Sequence, residues 1–229
     1  MELLHNGFTL DTPPGTFPLS TDSMVLCDFI RLPKKARVLD LGAGCGTLGL
    51  LLCARDPHCT VTGIELDEHA HIAALQNIES NGLQGRMNSI CADLRSFPPG
   101  LNAKLYTVCV SNPPYFTGGP ASGSSPLARR DDCCNPEELF ATAGRNLQFG
   151  SDFYLVHKPE KLAQLCSCAV NNNLEPKRLR LVRHRAGADV SMILLQCRKG
   201  AKPGLVWEEM CLFDHNSVPT EHYNRIYHL

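Results

Sequence analysis

The chain has 229 residues, a formal net charge of -1 and 43% hydrophobic residues. These values suit one α/β domain with a sizeable core, and they exclude a disordered chain or a basic nucleic-acid-binding protein of uniform charge. No apolar run approaches the ~18 residues of a membrane span, and the N-terminus lacks the features of a signal peptide. The twelve cysteines form no CxxC or zinc-type spacing. We therefore expect a cytoplasmic protein with reduced thiols, no membrane contact and no metal.

Strands and helices alternate along most of the chain. Residues 1–19 look irregular, and Ser20, Thr21 and Asp22 can cap a helix that ends near Pro33. We expect residues 1–33 to form a capping segment and residues 34–229 the remainder of a single domain. Strands are predicted at 37–41, 60–65, 87–92, 105–110, 153–157, 177–183 and 190–196, and further helices at 47–54, 68–80, 136–146 and 159–171. This order predicts an α/β fold with a parallel sheet covered on both faces and a closing antiparallel hairpin, while the tail from Leu205 receives no assignment.

A glycine-rich turn follows the first of these strands. Asp40 precedes three alternating glycines, Gly42, Gly44 and Gly46, and Glu65 ends the next strand. Such a turn lets a ligand approach the backbone closely, and both NAD and S-adenosylmethionine sites use it. The acidic residue ahead of the glycines favours S-adenosylmethionine, because that cofactor carries an ammonium and NAD does not. Glu65 is placed to accept the ribose hydroxyls.

The remaining predicted cofactor contacts lie at other strand and helix ends. Asp93 ends the third strand, where it can accept a hydrogen bond from the adenine amino group, although a helix N-cap is the alternative role. We also expect Thr21, Leu66, Leu94 and Asn112 to line the cofactor site.

The segment Asn112-Pro113-Pro114-Tyr115-Phe116 leaves the fourth strand through two prolines, which stop any ladder or helix. It suits methylation of a planar amine. The Asn112 side chain and the Pro113 backbone offer carbonyl oxygens to the amine N–H groups, and Tyr115 offers a ring for stacking. Much of the rate would come from alignment of the reacting groups and from dipoles aimed at the developing positive charge, so no strong base is required. We therefore predict Asn112, Pro113 and Tyr115 as catalytic, with a plain strand exit as the alternative.

Beyond this segment, the chain resembles the bacterial tRNA1(Val) adenine-N6 methyltransferase family, which modifies the adenine beside the anticodon. Segments covering nearly the whole chain carry the resemblance: 19–26, 38–46, 63–67, 112–116, 128–131, 153–160, 174–180, 198–204 and 220–227. It implies a Rossmann-like class I methyltransferase fold with a seven-stranded, mostly parallel sheet. It also implies S-adenosylmethionine as cofactor and an N6-adenine acceptor in RNA, with adenine 37 of tRNA1(Val) as the specific expectation.

A basic stretch could contact that RNA. Residues 174–203 hold eight Lys or Arg and two Asp or Glu, a pattern typical of a phosphate-facing surface or of a solvated strand edge. The predicted substrate contacts are Tyr115, Phe116, Arg129, Lys177, Arg178 and Arg180.

Three other functions are compatible with parts of the pattern. Protein-glutamine N5 methyltransferases share Asn-Pro-Pro-Tyr, but they carry a long helical domain ahead of the glycine turn, and only 37 residues precede Val38 here. A non-catalytic S-adenosylmethionine-binding protein would usually lose the tetrapeptide. An NAD-dependent oxidoreductase would need an acid or base for hydride transfer, and none is recognisable.

Overall fold

The computed structural model describes residues 1–96, 105–114 and 135–227. In this part of the chain the helices are α1 (Thr21–Phe29), α2 (Thr47–Arg55), α3 (Glu68–Ser80), α4 (Pro136–Asn146), α5 (Leu162–Asn171) and α6 (Glu221–Tyr227). The strands are β1 (Glu2–Leu3), β2 (Thr9–Leu10), β3 (Arg37–Leu41), β4 (Thr60–Glu65), β5 (Met87–Cys91), β6 (Tyr106–Ser111), β7 (Leu147–His157), β8 (Leu174–Arg185), β9 (Val190–Lys199) and β10 (Val206–Phe213).

Eight of these strands form one sheet in the order β10-β8-β9-β7-β6-β3-β4-β5. Only β9 runs against its neighbours, pairing antiparallel with β7 and β8. The mostly parallel sheet and the β8–β9 hairpin confirm the predicted fold class, but the predicted strand count of seven is one too low. The additional strand is β10, which joins the sheet edge parallel to β8.

Helices cover both faces of the sheet, as parallel strands with apolar residues on both sides require. Along β7, Tyr154 and Val156 belong to a core beneath α1 and α2, whereas Phe153 and Leu155 belong to a core beneath α4 and α5. No helix in the described ranges is long and apolar enough to cross a bilayer.

Local sequence signals explain α4, which with α3 is one of two helices whose bounds match the prediction. The Asn135 side chain caps α4 by accepting a hydrogen bond from the Glu138 N–H, and the Glu138 side chain accepts one from the Asn135 N–H. Pro136 occupies the first turn of the helix. Other predicted bounds shift. β7 begins at Leu147 rather than 153, and α1 ends at Phe29, before an extended Ile30. A 3-10 turn (Pro159–Lys161) precedes α5, and β1 and β2 pair within the segment expected to be irregular.

Ion pairs connect α1 to β8 and α6. The Arg180 guanidinium on β8 contacts Asp28 of α1 at 2.6 Å and Glu208 of β10 at 2.8 Å, and Arg225 of α6 contacts Asp28 at 3.1 Å. Burial alone would raise the pKa of Asp28, but hydrogen bonds from Arg180 and Arg225 lower it below its ordinary value. Arg180 is 9% exposed, so the Arg180–Asp28 pair is largely shielded from water, whereas the Arg225 and Glu208 side chains are partly exposed.

We expect Arg180→Ala to lower the free energy of unfolding by ~2 kcal/mol, because it removes the most buried cation of the cluster and leaves Asp28 with Arg225 alone and Glu208 with Arg178 alone. The loss should be largest near neutral pH and shrink as pH falls below the ordinary aspartate pKa, since the depressed Asp28 pKa stabilises the fold only while Asp28 is ionised. Urea unfolding at several pH values measures this. Arg198→Ala is the matched control, because Arg198 pairs with Asp152 while 45% exposed and should cost less than ~1 kcal/mol. Equal losses in the two variants would contradict a structural role for Arg180.

Candidate functional site

A cavity of about 300 Å³ lies where the carboxyl ends of β3, β4 and β6 meet. Ligands in parallel α/β sheets bind at this edge, because the strand order reverses there and opens a crevice. The cavity is lined by the glycine turn after β3, the end of β4, the residues after β5 and β6, the first turn of α1 and the segment 15–18.

The glycine turn is fastened to β4 through the Glu65 carboxylate. One Glu65 oxygen accepts the Gly44 N–H at 2.7 Å, and the other accepts the Asp67 N–H at 2.8 Å. Gly42, Gly44 and Gly46 have φ of 74°, 55° and 85°, values that glycine adopts without strain. These hydrogen bonds fix the turn to the end of β4. Burial raises the pKa of Glu65, while these N–H groups act in the opposite direction.

Asp40 is the most unusual group in the site. Its side chain is 1% exposed, and neither carboxylate oxygen has a hydrogen-bond partner among the described residues. Burial, with a smaller effect from the charge on Glu65, raises the pKa of Asp40 to about 8. An unpaired buried carboxylate is costly, so its position in the cavity wall suits a ligand that brings a positive charge.

The predicted adenine contact, Asp93, lines the cavity but is already engaged. Arg95 donates to both Asp93 oxygens through its Nε atom at 2.9 and 2.8 Å, and these hydrogen bonds lower the pKa of Asp93. A ligand would share this carboxylate with Arg95. Leu66 and Leu94 also line the cavity and give it an apolar wall.

Asn112 projects from the end of β6 toward the first turn of α1. Its Nδ2 donates to Ser23 Oγ at 2.9 Å, so Oδ1 is the acceptor atom of the amide that this bond does not use. The preceding residue, Ser111, is fixed by a 2.7 Å bond from its hydroxyl to the Leu41 carbonyl. Asn112 and buried Pro113 both line the cavity, so the structure brings the predicted amine-binding carbonyls to the predicted cofactor residues.

One predicted cofactor residue is placed elsewhere. The Thr21 hydroxyl contacts the Tyr227 hydroxyl of α6 at 3.1 Å, and Ser20, Asp22 and Ser23 line the cavity in its place. The contribution of Ser23 and of segment 15–18 was missed in the sequence. The capping motif at Ser20 predicts the helix, but nothing local indicates which strand end that helix faces.

The predicted substrate residues fall into three groups. Tyr115, Phe116 and Arg129 lie outside the described residues. Arg178 and Arg180 point into the protein, where Arg178 lies 4.3 Å from the Phe29 ring centroid and contacts Glu208 at 3.2 Å. Lys177 is half-buried, and its Nζ donates to the Lys202 carbonyl at 3.0 Å.

Comparisons with known proteins agree with this geometry. The methyltransferase small domain family matches residues 9–166. A protein named tRNA1(Val) (adenine(37)-N6)-methyltransferase from Tolumonas auensis is 30% identical over 209 residues, covering 90% of this chain and 86% of the relative. Its namesake from Shewanella halifaxensis is 33% identical, over 58% of this chain and 54% of the relative, about half its length.

A solved structure, described as a predicted O-methyltransferase from Agrobacterium tumefaciens, superposes with a TM-score of 0.76 at 20% identity. It covers 91% of this chain and 96% of that chain, which confirms the class I methyltransferase fold. The chain therefore belongs to the methyltransferase small domain family, is related to the bacterial tRNA1(Val) adenine-N6 methyltransferases, and is an S-adenosylmethionine-dependent methyltransferase.

Proposed function

We propose that this enzyme methylates the N6 amine of an adenine in RNA, with adenine 37 of tRNA1(Val) as the candidate target. The observation that carries the proposal is the Asn112 amide, which is held by Ser23 through Nδ2 and leaves an acceptor oxygen at the cavity beside Asp40 and Glu65. The names of the relatives support RNA as the acceptor.

The residues around the cavity fit S-adenosylmethionine. Asp40 would pair with the ammonium, which supplies the positive partner that its buried carboxylate lacks. Each Glu65 oxygen accepts one backbone N–H and keeps a lone pair for a ribose hydroxyl. Leu66 and Leu94 would cover the adenine, with Asp93 at its edge. When bound, the cofactor supplies an electrophilic methyl group on a sulfonium.

The acceptor side needs hydrogen-bond acceptors rather than a base. Asn112 Oδ1 and the Pro113 carbonyl would each accept an N–H of the adenine amine, which turns its lone pair out of conjugation. Pro113 has no N–H to oppose the amine. The same oxygens face the positive charge that develops on nitrogen, so orientation and fixed dipoles supply the catalytic effect. The adenine must leave its stack to reach this point.

We expect Asn112→Ala to abolish methyl transfer while S-adenosylhomocysteine still binds, because the amide contacts the acceptor rather than the buried carboxylate region. The test incubates wild type and variant with labelled S-adenosylmethionine, tRNA, rRNA and protein extract, followed by nucleoside mass spectrometry. Asn81→Ala, which removes a polar contact to the β2 backbone far from the cavity, controls for loss of an asparagine. Normal turnover by Asn112→Ala would refute the assignment.

The same experiment identifies the acceptor. N6-methyladenosine in one tRNA supports the proposal, and its absence after incubation with tRNA1(Val) would reject that specific target. Label in protein would instead favour a protein-glutamine N5 methyltransferase, since those enzymes share the Asn-Pro-Pro-Tyr segment.

A second prediction concerns Asp40 and pH. Because its raised pKa leaves the carboxyl protonated in the free enzyme near neutral pH, binding an ammonium should release a proton. The affinity for S-adenosylhomocysteine should then rise by about tenfold per pH unit between about pH 6 and 7.5. Calorimetry in buffers of different ionisation enthalpy measures the proton directly.

Asp40→Asn should weaken this binding and remove its pH dependence, whereas Asp56→Asn, in the turn after α2 and away from the cavity, should change neither. A wild-type affinity that does not vary with pH would show that Asp40 is not the partner of the ammonium.

We also propose a surface for the RNA, which we call the edge patch: Lys177, Lys202 and Trp207. Arg178 and Arg180 are less suited to phosphates, because Glu208 and Asp28 already engage them. The glutamates after Trp207 are likewise paired, Glu208 with these arginines and Glu209 with Arg183 at 3.6 Å. Lys177 lies two residues before Leu179, the register partner of the 75% exposed Trp207, and its Nζ contacts the Lys202 carbonyl. The edge patch therefore offers positive charge on the strand next to a stacking ring.

Sheet register places the edge patch level with the site. The pairings Trp207–Leu179, Leu179–Leu195, Leu195–Leu155 and Leu155–Ser111 form one row across the sheet. Trp207 is therefore four strands, or ~19 Å at ~4.8 Å per strand, from the residue before Asn112. An RNA whose target base enters the cavity can extend along this edge.

We expect the double variant Lys177→Gln, Lys202→Gln to weaken tRNA binding and reduce its salt slope by about two, roughly one per phosphate contact. Lys34→Gln with Lys35→Gln is the control, because these exposed lysines precede the amino end of the interior strand β3, whereas the cavity lies at the carboxyl ends of the strands. Trp207 is the single tryptophan, so its fluorescence should be quenched when RNA stacks on it. An unchanged slope and unquenched fluorescence would remove the edge patch from the interface, and a reduced slope for Arg178→Gln would restore the sequence-based assignment.

A further inference from the structure

The orientation of the Asn112 amide is a structural problem in its own right. A half-turn of the amide exchanges the positions of its carbonyl oxygen and its NH₂ group. An NH₂ group facing the cavity would place its N–H hydrogen-bond donors against those of the acceptor amine. The proposed chemistry, on which this inference rests, therefore requires a group that selects one of two nearly isosteric orientations. The chain segment 112–114 supplies none, because two prolines follow the asparagine.

Ser23 contacts the amide from α1. Its hydroxyl lies 2.9 Å from Asn112 Nδ2 and 3.3 Å from the Ser20 hydroxyl, and Ser23 is 5% exposed. When the Ser23 proton points to Ser20, the lone pairs of Ser23 face Asn112, and only the amide NH₂ can then pair with them. The Asn112 carbonyl consequently faces the cavity.

The first turn of α1 is fixed well enough for this task. Ser20 caps the helix by accepting the Ser23 N–H at 3.3 Å, and Thr21 is tied to Tyr227 of α6. One turn further on, Asp28 is held by Arg180 and Arg225. The Ser23 hydroxyl is therefore attached to a helix that two separate elements, β8 and α6, hold in place.

We propose that Ser23 is the positioning residue for methyl transfer, which sets the Asn112 amide so that Oδ1 receives the acceptor amine. It acts through Asn112 and touches neither the methyl group nor the nitrogen. The capping residue Ser20 contributes by accepting a hydrogen bond from the Ser23 hydroxyl, so the N-cap of α1 and the Asn112 amide belong to one hydrogen-bonded chain.

The test compares steady-state kinetics of Ser23→Ala and Ser23→Thr with wild type. Ser23→Ala should lower kcat by up to about 100-fold, the order expected for a misplaced catalytic group, while the affinity for S-adenosylhomocysteine and the KM for the acceptor stay within about twofold. Ser23→Thr keeps the hydroxyl and should recover most of the rate. Ser89→Ala, which removes another buried hydroxyl bonded to His71, should leave kcat unchanged.

Two outcomes would overturn the inference: an unchanged kcat in Ser23→Ala, or a loss in Ser23→Thr equal to that in Ser23→Ala, since the latter indicates packing rather than hydrogen bonding. The assay uses whichever acceptor the wild-type enzyme labels. Label in protein would thus reject the RNA substrate while the comparison of Ser23 variants still decides the role of the hydroxyl.

Discussion

The pairing of β3 with β6 is the constraint on which the site depends. The two strands are neighbours in the sheet although about 70 residues separate them in sequence, and the strand order reverses between them. Their carboxyl ends consequently open at the same point. The Ser111 hydroxyl bonds to the Leu41 carbonyl across this seam, so the residues that follow, the glycine turn and Asn112, are held side by side. The glycine turn and Asn112 meet because of sheet order rather than because of any local motif.

The fold tolerates a destabilising group at this seam. Between about pH 4 and 8 the folded protein retains a proton on Asp40 that the unfolded chain has lost, and by linkage the stability of the cofactor-free protein falls as pH rises through this range. The large apolar cores on both sheet faces can offset such a cost. A cationic ligand would remove it, which is why an unpaired carboxylate here indicates binding rather than poor packing.

Much of the fold could be predicted because its signals are local. The capping box of α4 and the apolar runs of β3 and β4 need no tertiary information. β10 was missed because it lies at a sheet edge, where Val206, Trp207, Glu208 and Glu209 are all exposed and give no alternation. Arg178 and Arg180 were interpreted as a basic surface because their counterions, Asp28 and Glu208, come from distant segments. The Ser23–Asn112 contact joins residues 89 positions apart, so no short stretch of sequence contains both partners.

These long-range contacts change how the N-terminal segment is understood. Residues 1–33 were expected to cap the domain, yet α1 packs against α2, α6, β7 and β9 and places Ser23 at the reacting end of the site. The cofactor side is built from the central strands and the turns that follow them. The Asn112 amide also depends on Ser23 of α1, and α1 is in turn held by β8 and α6. The contacts that fix Ser23 are thus separate from those that fix the glycine turn, which Glu65 of β4 holds.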